Sequence, residues 1–178
     1  MQSKVRLLGH PVHPMIVPFP IAFFTSTLAC AIVYLSTQNV FWFKIEFIAN
    51  CAGVVMAIIA VLPGVVDWLF ISMAADAKQT GLKHMVANAF SVGFFGVNAA
   101  VNYTYYNNAH PPLQSGFLLS LFGFLIMLYA GFQGWKMVQV HHVGVNMHSV
   151  EKVPVQDSVL DNANEIFTDT TENPHELK

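Results

Sequence analysis

Charged residues are scarce in this chain, and this scarcity is the strongest indication of the class of protein to which it belongs. Lys, Arg, Asp and Glu make up 10% of the 178 residues, against about 25% in an average soluble domain. So few charges cannot cover the surface of a globule of this size, which disfavours a soluble enzyme. Because 54% of the residues are hydrophobic, a disordered chain is disfavoured as well. A small integral membrane protein remains.

Cysteine, basic charge and the common catalytic motifs are also in short supply. Two cysteines rule out a disulfide-stapled secreted scaffold. A net charge of −2 excludes a basic nucleic-acid binder. The sequence contains no GxSxG, HExxH or Walker motif and no dinucleotide fingerprint. Hydrolysis therefore has little support, and the sequence alone does not decide whether the protein is an enzyme.

Four long apolar stretches predict four membrane-spanning helices. A helix needs about 20 apolar residues to cross a bilayer. Short polar connections between such helices make neighbours antiparallel. We therefore predict an all-α fold, an up-down four-helix bundle surrounded by membrane lipids, and we see no internal repeat in the sequence. The four stretches are residues 15–37, 47–71, 84–106 and 113–140.

The chain divides into three predicted parts. Residues 1–14 are an arm that ends in the sequence HPVHP, whose X-Pro pairs favour extended backbone, and we expect it to fold over the mouth of the bundle. Residues 15–145 form the membrane domain. Residues 146–178 carry seven acidic residues against two lysines, which predicts a disordered tail.

Basic residues predict the orientation of the bundle. An even number of spans places both termini on one side of the membrane, and most of the Lys and Arg residues of the membrane part fall on that side. The positive-inside rule therefore predicts that both termini are cytoplasmic. The basic residues on the predicted cytoplasmic side are Lys4, Arg6, Lys78, Lys83 and Lys136, whereas the other side has Lys44 alone.

Small and polar residues recur at helical spacing in three of the predicted spans. Helices associate in lipid through small residues and interhelical hydrogen bonds, so these stripes should face the bundle interior. The stripes are Gly53, Ala57, Ala60 and Gly64 in the second span, Asn88, Ser91, Phe95, Asn98 and Asn102 in the third, and Gly116, Ser120, Gly123, Met127, Ala130 and Gly134 in the fourth.

Ionisable residues stand where the helices meet the predicted cytoplasmic face. A single interfacial histidine usually anchors a helix. Here the topology brings four histidines and one carboxylate to the same face, which favours a shared functional site. These residues are His10, His13, Asp67, His84 and His141.

The run HPVHPMIVPFP at residues 10–20 resembles the opening signature of small bacterial membrane proteins classed as domain of unknown function 2231. The similarity continues in PGVVD at residues 63–67 and in GFQG at residues 131–134, and it covers residues 9–145. The resemblance implies a four-span bundle in a bacterial inner membrane. Members often occur near, or fused to, redox domains such as Rieske proteins, which implies electron transfer.

The first hypothesis for the site is a b-type haem. His84 and His141 come from different helices at similar depth and are the expected axial pair, with His13 as the substitute. Asn88 or Asp67 would hold the other ring nitrogen of a ligand. Glycines 64, 131 and 134 would let the flat ring approach the helices. Such a protein would pass electrons between quinol and a redox protein partner, or anchor a redox complex in the membrane.

Two alternatives stay open. His10, His13, His84, His141 and Asp67 have the ligand types for a compact site for Zn, Fe or Cu. Without a cofactor, the histidines would form a hydrogen-bonded latch in a non-catalytic accessory subunit. Two ligands from opposing helices would indicate haem, and three or four clustered ligands would indicate a compact metal site. The sequence leaves open whether the protein forms an oligomer or joins a complex.

Overall fold

A computed structural model describes residues 3–144, without the side chains of residues 113–115. The predicted acidic tail, residues 146–178, lies outside the described residues. Four helical spans are long and apolar enough to cross a membrane, which confirms the all-α membrane bundle. The first span, Val12–Thr37, comprises α1 and α2 together. The elements are β1 Arg6–Leu7, β2 His10–Pro11, α1 Val12–Ile16, α2 Pro18–Thr37, α3 Val40–Phe70, α4 Ala75–Tyr105 and α5 Leu113–Gln139.

Two helices begin earlier than the hydropathy pattern predicts. Asn39 caps α3 by accepting a hydrogen bond from the backbone N–H of Phe41, at 3.0 Å from N to Oδ1. The helix therefore begins at Val40, and Glu46 lies within it. Likewise α4 begins at Ala75, nine residues before the predicted span. Polar residues in these first turns lower the local hydropathy although the backbone there is helical.

The N-terminal arm begins as a hairpin. Leu8 and Gly9 both have positive φ angles, 50° and 82°, as a two-residue turn between antiparallel strands requires. The prediction of an extended arm holds only as far as Pro11, because α1 begins at Val12. Pro14 lies in the first turn of α1, where a backbone N–H has no helical partner, so the missing N–H of proline costs no hydrogen bond.

The bundle interior consists of the predicted small and polar stripes. Phe24, Ala57, Phe95 and Met127 form the buried hydrophobic cluster, one residue from each of the four spans. The buried polar residues of the interior follow the same helix faces. They include Asn50, Ser91, Asn98, Asn102 and Ser120.

The same packing relations occur twice in the bundle, a repeat that the sequence analysis missed. Phe24 packs against Gly53 so closely that a Cβ on that glycine would lie 2.7 Å from its ring. Phe95 packs against Gly123 in the same way, at 2.9 Å. The second pair follows the first by 71 and 70 positions. The segment α1–α3 and the segment α4–α5 are therefore equivalent halves of the bundle.

Candidate functional site

Two histidines at the N-terminal end of the bundle make matching contacts in the two halves. His13 Nδ1 lies 2.8 Å from the carbonyl oxygen of Ala60, on α3. His84 Nδ1 lies 2.8 Å from the carbonyl oxygen of Ala130, on α5. Because a carbonyl oxygen can only accept, each imidazole donates its Nδ1–H to the facing helix. Each ring is thereby fixed in orientation.

A glycine lies beneath each of these rings. A Cβ on Gly64 would lie 2.9 Å from Cε1 of His13, and a Cβ on Gly134 would lie 3.0 Å from Cε1 of His84. Real Cβ atoms do not approach a ring atom so closely without a shift. These glycines were expected to admit a flat macrocycle, but the space beside them holds the imidazoles. Gly131, the third glycine of that expectation, has no atom of another helix or a distant side chain within 4 Å of its Cβ position among the described residues.

The two rings are neighbours across the bundle. The ring centroids of His13 and His84 are 6.5 Å apart, and the ring planes stand at 87°. Asn88 Nδ2 lies 3.1 Å from His84 Nε2 and 2.9 Å from the His84 carbonyl oxygen. A neutral His84 ring that donates from Nδ1 and accepts at Nε2 satisfies both ring contacts. Asn88 thus contacts Nε2, while Ala130 holds the other ring nitrogen.

The other two candidate histidines lie apart from this pair. His141 Nε2 is 3.2 Å from the hydroxyl of Thr80, which lies one helical turn before His84. His10 is exposed, and its Nδ1 contacts the carbonyl oxygen of Leu8 within the hairpin at 3.0 Å. The structure therefore places His84 beside His13, the expected substitute, and places His141 one turn away.

Asp67 binds the N-terminal arm. Its Oδ2 accepts from the Ser3 hydroxyl at 2.6 Å, and its Oδ1 accepts from the backbone N–H groups of Lys4 at 2.7 Å and Val5 at 3.3 Å. These bonds fasten residues 3–5 to the end of α3. The carboxylate is thus used to hold the arm, and neither histidine of the pair is among its partners.

The compact metal site is not assembled in the described part of the chain. Its proposed ligands were His10, His13, His84, His141 and Asp67. Within residues 3–144, no group of three or more His, Cys, Asp or Glu side chains is placed to hold a metal ion. The arrangement at this end supplies two imidazoles, one from each half.

One buried ionisable residue escaped the sequence analysis. Glu46 was assigned to a connection, but it lies in α3 with 2% of its surface exposed. Its Oε1 accepts hydrogen bonds from the side-chain amides of Asn98 and Asn102. The sequence does carry a signal: Glu46 and Asn50 extend the stripe of Gly53 by two further helical steps.

The chemistry available to the pair follows from its hydrogen bonds. A histidine that donates Nδ1–H to a backbone carbonyl keeps a lone pair on Nε2, the arrangement typical of metal-ligating histidines. His13 and His84 both meet this condition. In its neutral form, an imidazole held in this way is a suitable metal ligand.

Comparison with known proteins agrees with this architecture at the level of the family. Residues 9–147 match the family model described as Predicted membrane protein (DUF2231). No curated protein and no solved structure matches the chain. The match covers most of the sequence and includes both histidines, both glycines beneath them and all four spans. The chain belongs to the DUF2231 family of membrane proteins.

Proposed function

We propose that His13 and His84 would hold the iron of a b-type haem and that the protein carries electrons at the membrane. One observation carries the proposal: each ring donates Nδ1–H to a backbone carbonyl, and the ring centroids lie 6.5 Å apart. In the neutral rings, each Nε2 then has a lone pair that can bind a metal, and at His84 the metal would replace the contact with Asn88. The bound group would supply reversible one-electron chemistry.

The two rings are near enough for one bound group to be held by both. The centroid distance between His13 and His84 is 6.5 Å. A compact Zn site usually takes three or four protein ligands, whereas haem needs two. The number of ligands therefore favours haem over the compact metal site.

The residues around the pair have separate parts in this proposal. The carbonyl oxygens of Ala60 and Ala130 orient the rings and make Nε2 more basic. Gly64 and Gly134 give the imidazoles room to lie against α3 and α5. Asn88 retains its bond to the His84 carbonyl oxygen when Nε2 of that histidine binds a metal.

The location supports quinol as the electron donor or acceptor. The histidine pair lies at the end of four apolar spans, where a lipid-soluble carrier and a soluble redox protein both have access. Among the basic residues of residues 3–144, five belong to this end and Lys44 belongs to the other. We therefore place the protein in a bacterial inner membrane with the histidine end and both termini on the cytoplasmic side.

The test is the absorption spectrum of the full-length protein, purified in detergent from cells that make haem. We expect a Soret band, with sharp α and β bands after reduction by dithionite. His13→Ala and His84→Ala should each lose most of the haem, whereas the matched variant His141→Ala should keep it. Haem and metal contents are measured on the same samples, and circular dichroism verifies that each variant is helical.

The same experiment separates the proposal from its alternatives. A folded protein that contains no haem but one Zn, Fe or Cu ion per chain would favour a non-haem metal site that uses His13 and His84. A folded protein with neither would favour the histidine latch, in which the bonds to Ala60 and Ala130 serve only to join the helices. Haem retained in both His13→Ala and His84→Ala would overturn the assignment of the ligands.

A further inference from the structure

A second polar centre lies at the opposite end of the bundle, around Glu46. Asn98 contacts this carboxylate and lies fourteen residues after His84 on α4. At the rise of an α-helix this separation is about 21 Å. The centre around Glu46 is therefore distinct from the histidine pair, and any function of one can be tested without the other.

The carboxylate occupies a space that the fold reserves for it. Its Oε1 accepts from Nδ2 of Asn98 at 3.2 Å and from Nδ2 of Asn102 at 3.1 Å. Gly116, on the facing α5, would place a Cβ 3.1 Å from the same oxygen. In the repeat, Gly116 is the counterpart of Glu46, 70 positions later. The first half of the bundle thus provides the carboxylate of Glu46. In the second half, the missing side chain of Gly116 leaves the space that this carboxylate occupies.

Two more oxygen atoms at this centre lack a donor. Asn50 and Asn98 are fully buried, and no hydrogen-bond donor of the described residues reaches their Oδ1 atoms. Their Nδ2 atoms are already used: Asn50 donates to the Phe95 carbonyl oxygen, and Asn98 donates to Glu46 and to Ser120. Asn50 lies one helical turn from Glu46. The buried carboxylate of Glu46 therefore has two neighbouring residues, Asn50 on α3 and Asn98 on α4, that each carry an unsatisfied amide oxygen.

The basic residue nearest to Glu46 in the sequence does not neutralise it. The ammonium group of Lys44 lies over the Tyr106 ring, 5.6 Å from its centroid. The titratable groups that face Glu46 from α2 are Cys30 and Tyr34, and neither carries positive charge. The described contacts from α4 and α5 are amides, a hydroxyl and a glycine. Because an ionised carboxylate is costly to bury without a counter-charge, the site calls for a positive ion.

An aromatic layer separates the centre from the adjacent end of the bundle. Tyr34 and Phe43 are both buried, with ring centroids 5.6 Å apart. The Tyr34 hydroxyl donates to the carbonyl oxygen of Pro111, in the connection between α4 and α5, at 2.8 Å. Phe43 lies one turn before Glu46 on α3. Bulk water on this side is thus held away from the carboxylate.

We propose that Glu46, Asn50 and Asn98 form a binding site for a small monovalent cation, H⁺ or Na⁺. Carboxylate and amide carbonyl oxygens are ligands that hard cations prefer. A proton would neutralise Glu46 and allow the acid to donate to one amide oxygen. Sodium would accept all three oxygens as ligands. Both ions meet the same need for positive charge in a dry, oxygen-lined site.

The test is infrared difference spectroscopy of the full-length protein in liposomes, titrated with acid in choline chloride or in NaCl. We expect one component of the carboxylic-acid carbonyl stretch, the component of a buried acid at high frequency, to grow with acid in the native protein and to be missing in Glu46→Gln, while the other carboxylates of the chain still contribute to the rest of the stretch. Asp76→Asn, the same change at an exposed carboxylate, should keep the band. If Na⁺ competes, each tenfold rise in its concentration lowers the pH midpoint by about one unit.

The two ions give different results. If the pH midpoint of the Glu46 band falls as NaCl is added, the site binds both H⁺ and Na⁺. If NaCl leaves the pH midpoint unchanged, the site binds H⁺ alone. A second variant, Asn50→Ala, keeps the carboxylate but removes one oxygen, and it should weaken any sodium effect at least several-fold. A band that neither titrates nor depends on Glu46, with no effect of sodium, would overturn the proposal.

Discussion

The rings of Phe24 and Phe95 stack face to face at the centre of the bundle, with centroids 3.9 Å apart and planes within 5°. They are counterparts in the repeat, so each half supplies one ring of the stack. The rings are buried and belong to one hydrophobic cluster with Ala57 and Met127. The contact joins α2 to α4, and thereby holds the two halves together between the two polar centres.

Removal of either ring of this stack should destabilise the fold. Phe24→Ala and Phe95→Ala would each leave a cavity and should lower the free energy of unfolding by about 3 kcal/mol. In lipid the loss comes from packing, because the acyl chains are as apolar as the side chain. Unfolding in mixed micelles with increasing dodecyl sulfate, followed by circular dichroism, measures the change. Phe90→Ala removes a lipid-exposed ring and should alter the stability by less than about 0.5 kcal/mol.

An added methyl group beneath either histidine should displace its ring. We expect Gly64→Ala and Gly134→Ala each to reduce haem content at least several-fold, because the new Cβ would lie 2.9 or 3.0 Å from imidazole Cε1. The Soret absorbance per protein measures the loss. Gly131→Ala is the matched control on the same helix, since its Cβ would meet open space. Full haem in Gly64→Ala and Gly134→Ala would mean that the rings need no such room.

Loss of the negative charge on Asp67 should release the N-terminal arm. Asp67→Asn weakens the charge-assisted hydrogen bonds to Ser3, Lys4 and Val5, each worth about 1.5–3 kcal/mol. We expect trypsin to cleave after Lys4 at least about tenfold faster in detergent, as judged by mass spectrometry.

The comparison for this prediction is Asp76→Asn, which changes an exposed carboxylate away from the arm. Its cleavage rate should equal that of the native protein. Equal rates in Asp67→Asn and the native protein would show that the arm is held by other contacts, such as the bond from the Val12 N–H to the Val5 carbonyl oxygen.

The distribution of basic residues sets a prediction for orientation. With Cys30 and Cys51 replaced by serine, single cysteines are introduced at Asn108 or Ser72, which are exposed at opposite ends of the bundle. A membrane-impermeant thiol reagent should label Asn108→Cys in intact bacterial cells with a permeabilised outer membrane. It should label Ser72→Cys only after the inner membrane is opened. The reverse pattern would invert the proposed orientation.

Hydropathy and helical spacing were sufficient to predict the bundle and its inward faces. The stripe that contains Ser91, Asn98 and Asn102 is buried as expected. The early start of α3 was missed because the buried Glu46 resembles part of a connection when hydropathy is averaged over a sequence window, and that of α4 was missed because exposed polar residues such as Asp76 and Lys78 lower the average. The partners of Glu46 lie on α4, far away in the sequence, so the helical spacing of Glu46 and Asn50 with Gly53 was the one local sign of its burial.

The sequence also could not decide whether His141 or His13 is the neighbour of His84; the three-dimensional structure was needed for that. All three belong to the same end of the bundle, and residue type does not rank them. The pairing depends on which helices face each other across the interior. The repeat held this information, since His13 and His84 lie 71 positions apart, like Phe24 and Phe95. Phe19, Phe23, Ala29 and Tyr34 also have identical residues 71 positions later, but these matches are scattered among unlike residues and the relation was overlooked.

Because the two halves of the bundle are equivalent, the surroundings of His13 can be compared directly with those of His84 in the same chain. His13 and His84 have the same glycine and carbonyl neighbours, but Asn88 contacts only His84, and the residue at the corresponding place in the first half is Val17. Among the contacts of the two rings, this amide is the difference between the halves. The molecule thus contains, within a single chain, both a histidine site with the extra hydrogen bond and the same site without it.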